Sequence, residues 1–137
     1  MMKRQLFTFM VLGLLAASPA FAQYTLTNLA SFNGTDGAFP ETDLILSGNT
    51  LYGTASAGGA YGDGEVFSVP VAGGTPTVLA SFNGANGSNP AAGLIISGST
   101  LYGTTYYGGA NGDGVVFSVP VAGGTPTALT SFNVVAG

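Results

Sequence analysis

Two aspartates, Asp63 and Asp113, hold the same position in two glycine-rich loops that lie 50 residues apart in the chain. Paired carboxylates hydrolyse glycosidic bonds when one acts as the acid and the other as base or nucleophile, about 5 to 9 Å apart. Such a pair needs different surroundings that separate the two pKa values. Because a repeated sequence gives both aspartates similar surroundings, we expect no catalysis, and a glycoside hydrolase fragment is the weakest functional hypothesis.

The same two loops, residues 58–64 and 108–114, have the glycine and aspartate content of calcium-binding nonapeptides. Calcium takes six to eight oxygen ligands, and one aspartate per repeat supplies too few. We therefore predict neither a metal site nor a cofactor. In the simpler interpretation, Asp63 and Asp113 bond their own backbone within tight turns.

Three tyrosines, Tyr61, Tyr106 and Tyr107, lie in or beside these loops. A tyrosine ring can stack on a sugar while its hydroxyl group forms a hydrogen bond. The tyrosines, together with Asp63 and Asp113, are therefore the candidate ligand-binding residues. They make a carbohydrate-binding, lectin-like array the alternative function.

The composition excludes several classes of protein. The chain has 137 residues, 6% of them charged, and contains no His and no Cys. It therefore holds no Cys/His zinc site, no catalytic thiol and no Ser-His-Asp triad. The only cations are Lys3 and Arg4, and nucleic-acid binding by release of counterions needs several Lys or Arg residues. We expect no nucleic-acid partner.

The first 22 residues predict a secretory signal peptide. A basic start is followed by an apolar run over residues 6–17 and by Ala20 and Ala22, the small residues that signal peptidase accepts. The run is shorter than the roughly 20 residues that a membrane span needs. We expect cleavage between Ala22 and Gln23, a secreted or extracytoplasmic protein, and no membrane span in the remaining chain.

The rest of the chain consists mainly of two tandem copies of one 50-residue unit, and most aligned residues of the two copies are identical. Repeat one covers residues 33–82, repeat two covers residues 83–132, and residues 133–137 begin a truncated third copy. In each repeat, short alternating apolar segments separated by glycine-rich turns indicate four strands and no helix. Residues 25–32 match the fourth strand, so they predict a lone leading strand.

Four strands in about 50 residues is the size of a propeller blade. We therefore predict an all-β, propeller-like protein with two four-stranded blades and the leading strand. A β-helix or solenoid is the structural alternative. Two blades leave an apolar face and sheet edges unpaired, so we also expect self-association or membership of a larger ring.

Distinctive motifs add a family resemblance. Leu101-Tyr102-Gly103-Thr104, the glycine loop that follows it and Val116-Phe117 resemble the GloVer tandem repeat of bacterial secreted proteins. The resemblance covers nearly all of residues 25–133. It implies an extracellular, propeller-like array without established catalysis, often carrying a C-terminal surface-sorting tail.

These 137 residues contain no such tail. We expect either a truncated chain or a short form, with cell-surface display if an anchor follows. The predicted function is a secreted or cell-surface structural and interaction module. Its partner is not identified by the sequence and is expected to be an extracellular glycan or protein.

Overall fold

A computed structural model of the protein describes residues 23–135. The predicted signal peptide, including Ala20 and Ala22, lies outside the described residues, and Gln23 is the first residue within them. Residues 133–135 of the predicted third copy are described and belong to no strand. The fold below concerns residues 23–135 alone.

Repeat one forms a four-stranded antiparallel sheet in the order β1-β2-β3-β4. Its strands are β1 (Ile45–Ser47), β2 (Thr50–Ala55), β3 (Glu65–Pro70) and β4 (Thr77–Ser81). Repeat two forms a second sheet in the order β5-β6-β7-β8. Its strands are β5 (Ile95–Ser97), β6 (Thr100–Thr104), β7 (Val115–Pro120) and β8 (Thr127–Ser131).

The prediction of an all-β, propeller-like protein with four strands per repeat is confirmed. The described residues form strands, turns and loops and contain no helix. Corresponding strands lie 50 residues apart, and both sheets carry a bulge at the same place, between Val66 and Phe67 and between Val116 and Phe117. Because strand pairing within each sheet is antiparallel, the parallel β-helix alternative is wrong for this part of the chain.

The Leu-Tyr-Gly-Thr and Val-Phe motifs are explained by one cross-strand contact. Gly103 in β6 lies opposite Phe117 in β7. A Cβ atom added at Gly103 would lie 2.7 Å from the tip of the Phe117 ring, closer than real Cβ contacts allow. Glycine is therefore needed here because the phenylalanine ring covers its backbone.

The main hydrophobic core lies between the two sheets. It combines Val66 and Ala80 of sheet one with Leu94, Leu101, Phe117 and Val119 of sheet two. Phe82, which follows β4, is fully buried and packs its ring edge-on against Phe117, with 4.8 Å between ring centroids. Each repeat therefore supplies one side of a core that the next repeat completes.

The predicted lone strand at residues 25–32 is wrong, because this segment belongs to no strand. It nevertheless occupies the place of β4 relative to the following repeat. The Gly74 N–H donates to the Leu29 carbonyl just as the Gly124 N–H donates to the Leu79 carbonyl, each over 2.9 Å. β4 is a strand because it pairs with β3, and the described chain contains no partner strand at the equivalent side of residues 25–32.

Candidate functional site

The two loop aspartates contact the chain that follows their own repeat. The Asp63 carboxylate accepts a 2.8 Å hydrogen bond from the Ser88 hydroxyl, and the Asp63 carbonyl accepts one of 2.9 Å from the Asn89 N–H. The Asp113 carboxylate accepts a 2.9 Å bond from the Val134 N–H. Both aspartates thus tie their loop to the next segment, whereas the sequence suggested bonds within the loop itself.

Tyr106 and Tyr107 form an exposed aromatic pair directly after β6. Their rings meet edge to face with 4.6 Å between centroids, and about 65% and 55% of the two residues is exposed. An exposed pair of this kind offers apolar ring faces together with two hydroxyl groups. It is the largest aromatic surface that the candidate ligand-binding residues form.

The backbone beneath the tyrosine pair is held by hydrogen bonds. Ser88 and Tyr107 exchange two backbone bonds of 2.9 and 3.0 Å, and the Tyr106 N–H donates to the Asn89 carbonyl over 2.9 Å. The Thr105 hydroxyl donates to the Tyr107 carbonyl over 2.8 Å. The rings are therefore presented from a fixed backbone, which lowers the entropic cost of binding a ligand.

The structure brings three of the five candidate residues together and places the other two elsewhere. Tyr106, Tyr107 and Asp113 line one cleft of about 420 Å³, which Phe132 and Val134 also border. Tyr61 lines a separate cleft of about 400 Å³, beside β4 and the turn around Gly124. Asp63 borders neither cleft.

The equivalent surface of repeat one is covered by repeat two. The loop that carries Ser88 and Asn89 bonds to Asp63, and Pro90 packs so closely over Gly64 that an added Cβ would lie 2.6 Å from the proline ring. The tyrosine cleft is thus the place where a following repeat would seat its own loop.

A third cleft, of about 500 Å³, lies at the other end of the repeat pair. It is formed between residues 26–32 and the apolar side chains of sheet one. Those side chains include Leu44, Leu51, Phe67 and Val69. Their counterparts in repeat two, Leu94, Leu101, Phe117 and Val119, are buried in the core between the sheets.

Within residues 23–135, Glu65 is an unusual ionisable group that sequence reasoning missed. It is fully buried, and neither carboxylate oxygen has a hydrogen-bond partner. Burial, followed by the nearby charge of Asp36, raises the pKa of Glu65 from 4.5 to about 7. A sequence signal existed, because the aligned residue of the second repeat is Val115, which is also fully buried.

Glu65 and Asp36 do not amount to a metal centre. Within residues 23–135, no three His, Cys, Asp or Glu side chains are grouped so that they could hold a metal ion. The same part of the chain contains no helix that is long and apolar enough to cross a membrane.

Comparison with protein-family models gives a match over most of the chain. The model of the Gloeobacter/Verrucomicrobia repeat matches residues 17–137, in agreement with the Leu-Tyr-Gly-Thr and Val-Phe motifs. No curated protein and no solved structure matches the chain.

Proposed function

Because the chain belongs to the Gloeobacter/Verrucomicrobia repeat family, we propose that it works outside the cytoplasm as a structural and interaction module. The observation that carries this proposal is the way the repeats join. The sheet of repeat one packs its apolar face onto the sheet of repeat two, and apolar side chains are exposed at both ends of the pair, with Leu44 and Leu46 at one end and Ile95 and Phe132 at the other. Exposed apolar surfaces of this kind are typical of protein interaction sites.

The electrostatics of the chain support the same proposal. Residues 23–137 contain six acidic residues and no Lys or Arg. No salt bridge between side chains can form in this part, so burial and hydrogen bonding hold the fold together. The shared negative charge favours solubility of separate copies. Exposed apolar side chains on the sheets provide the short-range contact.

Export is tested by fractionating cells that express the full chain. We expect the protein outside the cytoplasm, and we expect Leu14→Arg to retain it inside, because a charge in the apolar run prevents recognition as a signal peptide. Glu41→Gln, an exposed substitution beyond that run, is the control and leaves export unchanged. Finding the unaltered chain in the cytoplasm would contradict the proposal.

The interaction role is tested by adding the exported chain to envelope and matrix preparations of the producing cells. We expect saturable retention, in contrast to an unrelated acidic protein of similar size. Equal retention of the two proteins would show that the chain does not bind the envelope or matrix material specifically. The cell material is the probe, so the test needs no prior identification of the partner.

Carbohydrate binding is a second candidate function, favoured by the exposed Tyr106–Tyr107 pair beside Asp113 in one cleft. Aromatic faces can stack on the apolar side of a sugar ring, and a carboxylate can accept its hydroxyl hydrogens.

We expect glycan-array signals that fall at least about tenfold in the Tyr106→Ala/Tyr107→Ala double variant, a loss of roughly 1.4 kcal/mol or more. Tyr61→Ala is the matched control, since Tyr61 is about as exposed as Tyr106 but lies in another cleft. An array without signals, or signals that the double variant keeps, would rule out this candidate.

A further inference from the structure

The two sides of each sheet have different partners within the chain. We call the side of sheet one with Leu44, Leu51, Phe67 and Val69, and the equivalent side of sheet two, the leading face. We call the opposite side, with Ile45, Tyr52 and Val66 in sheet one and Ile95, Tyr102 and Val116 in sheet two, the trailing face. In the core, the trailing face of sheet one packs on the leading face of sheet two.

Hydrogen bonds fix the geometry of this contact between repeats. Besides the bond from Gly124 to Leu79 and those from Ser88 and Asn89 to Asp63, the Thr54 hydroxyl donates to the Ala92 carbonyl over 3.3 Å. The contact is therefore a defined interface with one register. It joins two different surfaces, one from each repeat.

The same two surfaces recur at the ends of the repeat pair, where the contact with a further repeat is replaced by partial exposure or by residues 26–32, which cover Phe67 and Val69. Leu44 on the leading face of sheet one is about 50% exposed, whereas its counterpart Leu94 is 3% exposed. Beside the trailing face of sheet two, Phe132 is about 45% exposed, whereas its counterpart Phe82 is fully buried. Ile95 on that face is 67% exposed.

We propose that a second copy of this chain docks head to tail, with the trailing face of its sheet two on the leading face of sheet one. The argument is continuity with the interface inside the chain. The residues that define the two faces are identical between repeats at each named position, and none of them is charged. Docking in the internal register therefore reproduces the apolar contacts of an interface that the fold already uses, without the bond from Ser88 to Asp63, because the residue equivalent to Ser88 in repeat one is Ala38.

This proposal rests on the interaction role and names its partner. Because the two docking surfaces differ, the contact is heterologous, and each bound copy offers a free end to the next. The copies therefore form a closed ring or an open chain. A symmetric dimer with two identical surfaces in contact is excluded by this geometry.

Residues 24–32 limit the association. Leu29 bonds to Gly74, and the Phe32 ring packs on Phe67 at 4.8 Å, just as Phe82 packs on Phe117. The segment thus holds the place that β8 and Phe132 of an incoming copy need. It belongs to no strand, and Tyr24 and Leu26 are almost fully exposed, so it is a weakly held cap that the incoming copy displaces.

The test uses the exported chain from cells expressing the full sequence, in sedimentation experiments over a range of concentrations. Leu46 lies opposite Leu51 in the pairing of β1 with β2, so it belongs to the leading face. We expect reversible association that Ile95→Lys and Leu46→Lys each weaken at least about tenfold, because a lysine then faces an apolar surface. Tyr61→Lys is the control, since Tyr61 is as exposed as Ile95 and lies on neither face. A chain that stays monomeric, or association that both face variants keep, would overturn the proposal.

A mixture of the two face variants tests the head-to-tail geometry. The Ile95→Lys copy keeps an intact leading face, and the Leu46→Lys copy keeps an intact trailing face. We expect the mixture to form dimers that grow no further, although neither variant associates strongly alone. A mixture as weak as its components would contradict heterologous docking.

The cap is tested by Phe32→Ala, which removes its aromatic contact. We expect association at least about tenfold tighter than that of the unaltered chain, with an unchanged circular dichroism spectrum as evidence that the sheets are intact. Unchanged or weaker association would show that residues 24–32 do not compete with a second copy.

The failure of this proposal is distinguishable from failure of the proposed function. If the chain is monomeric but is exported and retained by envelope material, head-to-tail docking of a second copy is ruled out and the proposed function stands. If the chain associates head to tail but stays in the cytoplasm, the extracytoplasmic role is ruled out and the docking proposal stands.

Discussion

Gly103→Val is expected to lower the free energy of unfolding by about 3 kcal/mol, near the upper end for overpacking a core. The new side chain would collide with the ring of Phe117 and, at 3.0 Å from the added Cβ, with Leu94. Phe117 is fully buried between the two sheets, so it has no open space into which to move. Urea unfolding followed by circular dichroism measures the change.

The control is Gly93→Ala. Gly93 is exposed, and a Cβ atom there comes no closer than 3.8 Å to another residue, so stability is expected to stay within about 0.5 kcal/mol. The double variant Gly103→Val/Phe117→Ala provides a second test. Phe117→Ala alone costs about 3 to 5 kcal/mol, and we expect the added Gly103→Val to cost much less than it does alone. Additive effects would contradict the contact between the glycine and the ring.

Glu65→Val is expected to stabilise the protein at pH 8 and to remove most of its pH dependence between pH 4.5 and 8. The folded state raises the pKa of Glu65 from 4.5 to about 7, so it binds a proton more tightly than the unfolded chain does. The favourable contribution is therefore complete below pH 4.5 and is lost as the pH rises through about 7. The loss is on the order of 3 kcal/mol.

Unfolding in urea at several pH values measures this effect. Valine is the residue that repeat two accommodates at the same place, in Val115. Glu65→Gln is the matched variant of similar shape, and it too is expected to remove the pH dependence, because the amide does not titrate. The exposed Glu41→Gln keeps the unaltered profile. If Glu65→Val retained the full decline in stability above pH 4.5, burial of Glu65 would not be its cause.

Most of the strand arrangement could be predicted from the sequence because it depends on neighbouring residues. The 50-residue period, the turns at glycine pairs and the alternation in segments such as residues 66–71 specify four strands per repeat. Their antiparallel pairing follows from connections shorter than the dozen or so residues that a parallel crossover needs. The same pattern wrongly predicted a strand at residues 25–32. A strand also requires a partner strand, and this segment has none in the described chain.

The candidate site was predictable only as a set of residue types. The sequence of the loops indicated Tyr106, Tyr107 and Asp113 as candidates. No sequence pattern near them indicated that these three share a cleft while Tyr61 lies in another. The role of Asp63 was likewise hidden, because its partner Ser88 belongs to the next repeat. Contacts between repeats depend on how two sheets stack, which the pattern within one repeat does not encode.

The sequence by itself determined the family, the period, the all-β class and the absence of cations from residues 23–137. Only the tertiary structure decided which face of each sheet is covered, since both faces of β2 and β3 carry apolar residues and alternation alone cannot rank them. It also decided that Glu65 is buried without a partner. The physical reason is that burial depends on contacts between residues distant in the sequence: the covered sheet faces lie where one repeat meets the next, and the Glu65 carboxylate is enclosed by Gly37 and Gly59 of its own repeat.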